Sequence, residues 1–356
     1  MTPDNMFEIY LKRLEFVNKK LSAGMYTLTQ SLNLEAGTTP SKAVLSRDRW
    51  TLYHYEPVSP GSAKTPVLVI YALVNRYYMM DLQPDRSMVK KFLEMGLDVY
   101  VLDWGYPTPI DKYLTMEDYI DDYMDEVVDF VRSFSSDGKV NLFGVCQGGT
   151  FSAIYASLYP QKVRNLTLLV APINFESENG LLNVWAKHMD VDKMVDTLGN
   201  VSGDFMNIGF LMLNPLRLMF AKYVDFLENL DDKEFVSNFI RMEKWIFDSP
   251  DQAGEAFRKF IKDMYQENRL AKGTFELGGR TVSLKNINMP VLNVFALLDH
   301  LVPPECSEPL IEYISSQDKT NLSFSTGHIG IFTSSKSQKE YAPKIAQWIL
   351  ERSGGA

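Results

Sequence analysis

Cysteine is scarce in this chain: Cys146 and Cys306 are the only two among 356 residues. Two thiols cannot build a disulfide framework, and disulfides persist in oxidising compartments, so the expected setting is the reduced cytoplasm. Histidine is nearly as rare, with His54, His188, His300 and His328 dispersed along the chain. These few ligands lack zinc-type spacing, and no glycine-rich phosphate loop appears, so neither a metal nor a resident cofactor is expected. Positive charge does not dominate either. The formal net charge of −9 lacks the basic footprint that nonspecific nucleic-acid binding needs. Apolar runs are short and broken by charge, which excludes a helical membrane span. No charged-then-apolar leader follows Met1-Thr2-Pro3, so no secretory signal is expected. What remains is ordinary: 46% hydrophobic and 23% charged residues, enough for one large domain with an insertion.

One pentapeptide stands out against that background. Lys139-Val140-Asn141-Leu142-Phe143 reads as a buried strand, and Thr150-Phe151-Ser152-Ala153-Ile154-Tyr155-Ala156 has helical spacing with small residues on one side. Between them lies Gly144-Val145-Cys146-Gln147-Gly148, then Gly149. Strand, Gly-x-nucleophile-x-Gly turn and helix form the nucleophile elbow of the α/β-hydrolase fold. Such a turn is strained and its backbones approach closely, so side chains at Gly144 and Gly148 would clash. A free cysteine is more often a small buried hydrophobe, and the motif alone is short. The base and the acid must therefore be found in the order this fold requires: nucleophile, acid, histidine.

Both are present. Met289 to Leu297 is an apolar, strand-like run ending in Leu298-Asp299-His300-Leu301-Val302-Pro303-Pro304, which puts Asp299 just past a strand. Asn321 to Ser325 reads as the last strand, and His328 follows in the loop Thr326-Gly327-His328-Ile329-Gly330. Elimination supports this choice. His54 lies in an alternating strand-like run, His188 on a helical segment, and His300 beside Asp299, where it points another way. Cys146, Asp299 and His328 thus make a nucleophile, an orienter and a base. Cys306 follows Pro303-Pro304-Glu305 at a helix start and reads as an incidental thiol. Asp103 ends a core strand, where acids commonly fix loops.

The periodicities divide the chain into an N-terminal helical segment (1–42), a first core part (43–172), a helical cap (173–286) and a second core part (287–356). Within 7–32, Leu11, Leu14, Val17 and Leu21 have helical spacing. Turn chemistry fills 57–64. Near-continuous apolar strands separated by helices predict a mostly parallel sheet with helices on both faces. The aromatics and methionines of 173–286 (Trp185, Met189, Phe205, Met206, Phe210, Met212, Met219, Phe220, Trp245 and Phe247) are expected mostly as cap interior, with some lining an acyl channel.

Longer motifs carry a resemblance across nearly the whole chain. Tyr71 to Tyr78, Leu102 to Pro107, Gly144 to Gly149, Val195 to Asn200, Arg241 to Pro250, Asp299 to Pro304 and Gly327 to Gly330 resemble the polyhydroxyalkanoate synthases. The match is to the catalytic subunit of the short class III type, which works with a second subunit. Class IV enzymes share the core motifs; Arg241 to Pro250 and Gly144 to Gln147 favour class III.

The resemblance implies that the chain is an acyltransferase polymerising (R)-3-hydroxyacyl-CoA, 3-hydroxybutyryl-CoA above all, with release of CoA. It also implies the surface of a polyester granule in the cytoplasm and a homodimer or hetero-oligomer. In this reading His328 takes the Cys146 proton, since a thiol with pKa of about 8.5 is mostly protonated at neutral pH. Asp299 orients His328 and helps activate the attacking 3-hydroxyl. Backbone N–H groups of Gln147 and Val74 are the expected oxyanion donors. Two rivals stand beside it. A cysteine thioesterase or dienelactone-hydrolase-like enzyme would pass the same acyl group to water. A granule-coating binding protein would need no chemistry, and the complete set of Cys146, Asp299 and His328 speaks against it.

Overall fold

The computed structural model describes residues 35–58 and 65–353; the helix expected over 7–32 and the turn residues 59–64 lie outside them. Eight strands form one sheet: β1 (Ser41–Arg47), β2 (Trp50–Tyr55), β3 (Val67–Ile70), β4 (Val99–Asp103), β5 (Val140–Val145), β6 (Val163–Leu169), β7 (Val291–Ala296) and β8 (Lys319–Phe324). Their spatial order is 1-2-4-3-5-6-7-8. β1 and β2 are a hairpin turned at Asp48, whose φ of 51° an aspartate tolerates. β2 meets β4 antiparallel, and every later pairing is parallel.

The central strands β3, β4, β5 and β7 are buried along their whole length because both faces are covered. Val67, Val69, Val99 and Val101 face one cluster, shared with helix α1 (Met88–Glu94). Leu68, Ile70, Leu102 and Leu142 face the other, with α2 (Met124–Arg132) and α3 (Gln147–Leu158). The alternation within one strand follows from its two-residue period.

Between β6 and β7 the chain forms helices α4 (Leu181–Lys187), α5 (Val191–Leu198), α6 (Gly203–Met212), α7 (Lys222–Glu228), α8 (Lys233–Phe247) and α9 (Gly254–Phe260), with a two-strand ladder at Glu276–Leu277 and Arg280–Thr281. Packing divides this insertion unevenly: Ala186, Val191, Val195 and Val201 of its first part form a cluster with Ile261, which lies past α9. From Ala253 onward, Ala256, Phe260 and Met264 recur at helical spacing and sit in the core with Phe151 and Tyr155. Between these packed parts, α6 and α7 are thinly covered. Most of the aromatics and methionines expected as cap interior are not interior: Trp185, Phe205, Met212, Met219, Phe220 and Phe247 are exposed, while Met189, Met206 and Phe210 are half-buried and Trp245 is buried. A single layer of helices has one covered side, and α6 and α7 are apolar on more than one. The fold closes on α10 (Ala342–Arg352), whose Ile345, Ala346 and Ile349 pack beside α1.

Candidate active site

The site is assembled from three loops at the C-terminal ends of β5, β7 and β8. The first is the elbow. Cys146 has φ 52° and ψ −123°, a conformation that a side chain rarely adopts and that the surroundings must hold. Its N–H donates to Leu169 O at 2.9 Å, and its carbonyl accepts from Gly149 and Thr150 as α3 begins. The glycines are obligatory. A Cβ on Gly144 would stand 2.5 Å from Gly149 Cα, and one on Gly148 would collide with the carbonyls of Ile70 and Tyr71. The elbow thereby presents Cys146 half-buried at the head of α3.

The second loop carries Asp299. Its Oδ1 accepts the N–H groups of Leu301 and Val302, each at 2.9 Å, and its Oδ2 meets His328 Nδ1 at 2.6 Å. One oxygen therefore anchors the carboxylate and the other orients the ring. The third loop carries His328 and is tied to the second: Leu297 N–H donates to Phe324 O and Leu298 N–H to Thr326 O, both at 2.9 Å. Asp299 and His328 are both buried. Burial alone would lower the His328 pKa, but the charge and hydrogen bond of Asp299, then Cys146, outweigh it and push it up to about 10. With Nδ1 committed to Asp299 and Cys146 as the second partner, the imidazole is a strong acceptor for the thiol proton.

Cys306 is the opposite case. It is buried beside Asn183 Nδ2 at 3.8 Å, and burial, reinforced by the charge of Glu305, pushes its thiol up to about 12. Such a thiol is inert at neutral pH. The other histidines are placed as expected. His54 pairs with Asp98 at 2.7 Å and stacks on Tyr100, while His188 and His300 are exposed. Asp103 fixes a loop: it pairs with Arg76 at 2.7 Å and accepts from Gly105 N–H at 2.9 Å.

Of the two expected oxyanion donors, Gln147 directly follows the thiol. Gln147 opens α3, where a backbone N–H has no intrahelical acceptor. Its side chain does a second job, accepting Leu73 N–H at 3.2 Å. Val74 follows, half-buried in the same cluster as Cys146. Residues without an assigned role in the sequence hold this loop. Gln252 Nε2 donates to Leu73 O at 2.7 Å, Asn75 Nδ2 to Ser249 Oγ at 2.5 Å, and Trp245 Nε1 to Arg76 O at 2.9 Å. Tyr71 and Tyr265 also feel the charge of Cys146, and burial keeps both phenols protonated. The sequence signals here are the distinctive Tyr71 to Tyr78 and Arg241 to Pro250 stretches, which name no contacts; Gln252 and Tyr265 fall outside both.

Known proteins match this geometry at two levels. The model of the alpha/beta hydrolase fold matches residues 65–335, and that of the Poly-beta-hydroxybutyrate polymerase (PhaC) N-terminus matches residues 15–92. A putative lipase of Sulfolobus solfataricus is 15% identical with a TM-score of 0.57, covering 86% of this chain and 93% of that one; this likeness shows the fold alone. The Poly(3-hydroxyalkanoate) polymerase subunit PhaC of Allochromatium vinosum is 50% identical, covering 94% of this chain and 95% of its own. That of Synechocystis sp. is 49% identical over 95% of this chain and 92% of its own. The three loops, the elbow and these relatives together make the chain a member of the poly(3-hydroxyalkanoate) polymerase family, built on the α/β-hydrolase fold.

Proposed function

We propose that this chain transfers (R)-3-hydroxyacyl groups, 3-hydroxybutyryl first among them, from CoA onto a growing polyester through an acyl-enzyme on Cys146. The observation that carries the proposal is the strained, half-buried cysteine of the elbow beside the paired His328 and Asp299. His328 accepts the thiol proton, and the thiolate attacks the thioester carbonyl. The N–H groups of Gln147 and Val74 face the oxyanion of the tetrahedral intermediate. As it collapses, the carbon–sulfur bond to CoA breaks and His328 returns its proton to the departing thiolate. The 3-hydroxyl of a second unit then gives its proton to His328, held in register by Asp299, and attacks the acyl-Cys146. The new ester forms and Cys146 is released. No cofactor takes part; the CoA thioester is the substrate.

Polymerisation rather than hydrolysis requires that water be kept from the acyl-enzyme. The 181–247 helices, joined to the loop beside the thiol through Trp245 and Asn75, are suited to that task. Their exposed apolar surface, with Leu216 77% and Phe220 64% exposed, suits a second synthase subunit, a second copy of the chain or the polyester granule in the cytoplasm. The relatives are themselves named as polymerase subunits. Among the described residues no helix is long and apolar enough to cross a membrane.

The test is incubation of the purified chain, with and without its partner subunit, with 3-hydroxybutyryl-CoA. Insoluble polyester with stoichiometric CoA is expected. Free hydroxyacid would identify a hydrolase, and no CoA release would identify a binding protein.

A further inference from the structure

The loop after β3 has little freedom of its own, and most of what holds it comes from one distant segment, residues 245–252. Leu73 O is held by Gln252, the Asn75 side chain by Ile246 O and Ser249 Oγ, and Arg76 O by Trp245. Asn75 has φ 58°, a left-handed turn that asparagine adopts more readily than most residues and that these contacts fix in place. Val74 lies between two pinned neighbours, so the placement of 245–252 sets where its N–H points.

Beyond these bonds, the segment carries one carboxylate that bridges two core loops. Asp248, just past α8, accepts hydrogen bonds from Tyr78 Oη at 2.6 Å and Tyr106 Oη at 2.5 Å. Tyr78 follows the β3 loop and Tyr106 follows β4. The Arg76 guanidinium lies 4.1 Å from the Tyr106 ring centroid while pairing with Asp103. Burial and the bond to Asp248 push the Tyr106 phenol up to about 12 and that of Tyr78 higher still. Both phenols are therefore donors at any working pH, and each is met by its own carboxylate oxygen, Tyr78 by Oδ2 and Tyr106 by Oδ1. An asparagine would turn an NH2 toward one of them.

We propose that Asp248 is a positioning residue: by clamping the end of α8 to two core loops, it holds the Val74 N–H in register for the acylation step. The inference rests on the reading of Cys146 as acylated nucleophile and Val74 as oxyanion donor. It also gives the exposed helices a route to the chemistry, because α8 runs from them into the clamp.

The test separates thiolate formation, which needs only Cys146 and His328, from acylation, which also needs the oxyanion donors. In Asp248→Asn, single-turnover acylation by 3-hydroxybutyryl-CoA should fall about 10- to 100-fold, the scale of a misplaced catalytic group. Alkylation of Cys146 by iodoacetamide should stay within about twofold. Tyr78→Phe combined with Tyr106→Phe keeps both rings and should reproduce the split if Asp248→Asn does not fold. Asp248→Glu should recover part of the acylation. A parallel fall in alkylation and acylation, or no fall in either, would overturn the clamp. If the unaltered chain alkylates at Cys146 but never acylates there, the polymerase reading fails with it, and that result is distinct from a failure of the variants alone.

Discussion

Two regions of this molecule handle apolar surface in opposite ways. At the three core loops, β5 and β7 are covered on both faces; Cys146 is held by backbone bonds with Leu169, Gly149 and Thr150, Asp299 by Leu301 and Val302, and His328 by Asp299. In α6, the helical turn Leu216–Ala221 and α7, large apolar side chains such as Ile208, Leu216, Phe220 and Val224 stand in solvent. Isolated exposed apolar residues are normal, but a run of them along successive helices marks a contact surface. The difference separates tasks: the rigid loops fix the reacting atoms, while the loosely covered helices are free to meet something else. The segment 245–252 joins the two.

The largest expected effect lies at the centre of the rigid region. Cys146→Ala should lower CoA release at least about 10,000-fold, whereas Cys306→Ser should keep most of it, because the second thiol is buried and inert. Steady-state CoA release on both variants makes the comparison; retained activity in Cys146→Ala would dissolve it. The next effect separates His328 from Asp299. His328→Gln should slow acylation of Cys146 by about 100- to 10,000-fold. Asp299→Asn should still acylate but elongate poorly. Single-turnover acylation set against steady-state polymerisation reads the two steps apart, and equal loss of acylation would leave Asp299 a purely orienting role.

A smaller effect concerns stability. His328 has a folded-state pKa of about 10, above the unfolded value of about 6.5. A raised pKa means that the folded state holds the proton more tightly. The stabilisation is complete below pH 6.5 and is lost as pH rises through 10. Melting temperature should therefore fall across that window in the native chain and fall less in His328→Gln. The smallest expected effect on chemistry is at the exposed helices. Leu216→Ser with Phe220→Ser should leave acylation within about twofold but weaken any gain from a partner subunit. That gain should saturate with partner concentration, since a partner shifts a balance only by its differential affinity. A large loss of acylation in the double variant would erase the distinction between the regions.

The sequence made the rigid region legible and the loose one much less so. Cys146 could be read because an elbow needs strand, glycines and helix in immediate succession, and Asp299 and His328 because each follows an apolar strand in a required order. All of these signals are local. The division of the insertion into packed and exposed helices is not local. Ala256 and Phe260 have helical spacing whether they face the core or a separate cap, so periodicity does not say which partner they meet. The exposed aromatics were read as interior for the same reason, since apolar character predicts burial but not what covers it. The contacts of Gln252, Asn75 and Asp248 join segments separated by 142 to 179 residues, and such side-chain bonds leave no periodic trace.

The central claim is that Cys146 carries the acyl group between CoA and the polymer. It is tested most directly by rapid quenching of the chain with labelled 3-hydroxybutyryl-CoA, followed by mapping of the label and analysis of the product. The account predicts 3-hydroxybutyryl and its oligomers on Cys146, with polyester accumulating as CoA appears. Label on Cys306, or unlabelled Cys146 while polyester accumulates, would contradict it.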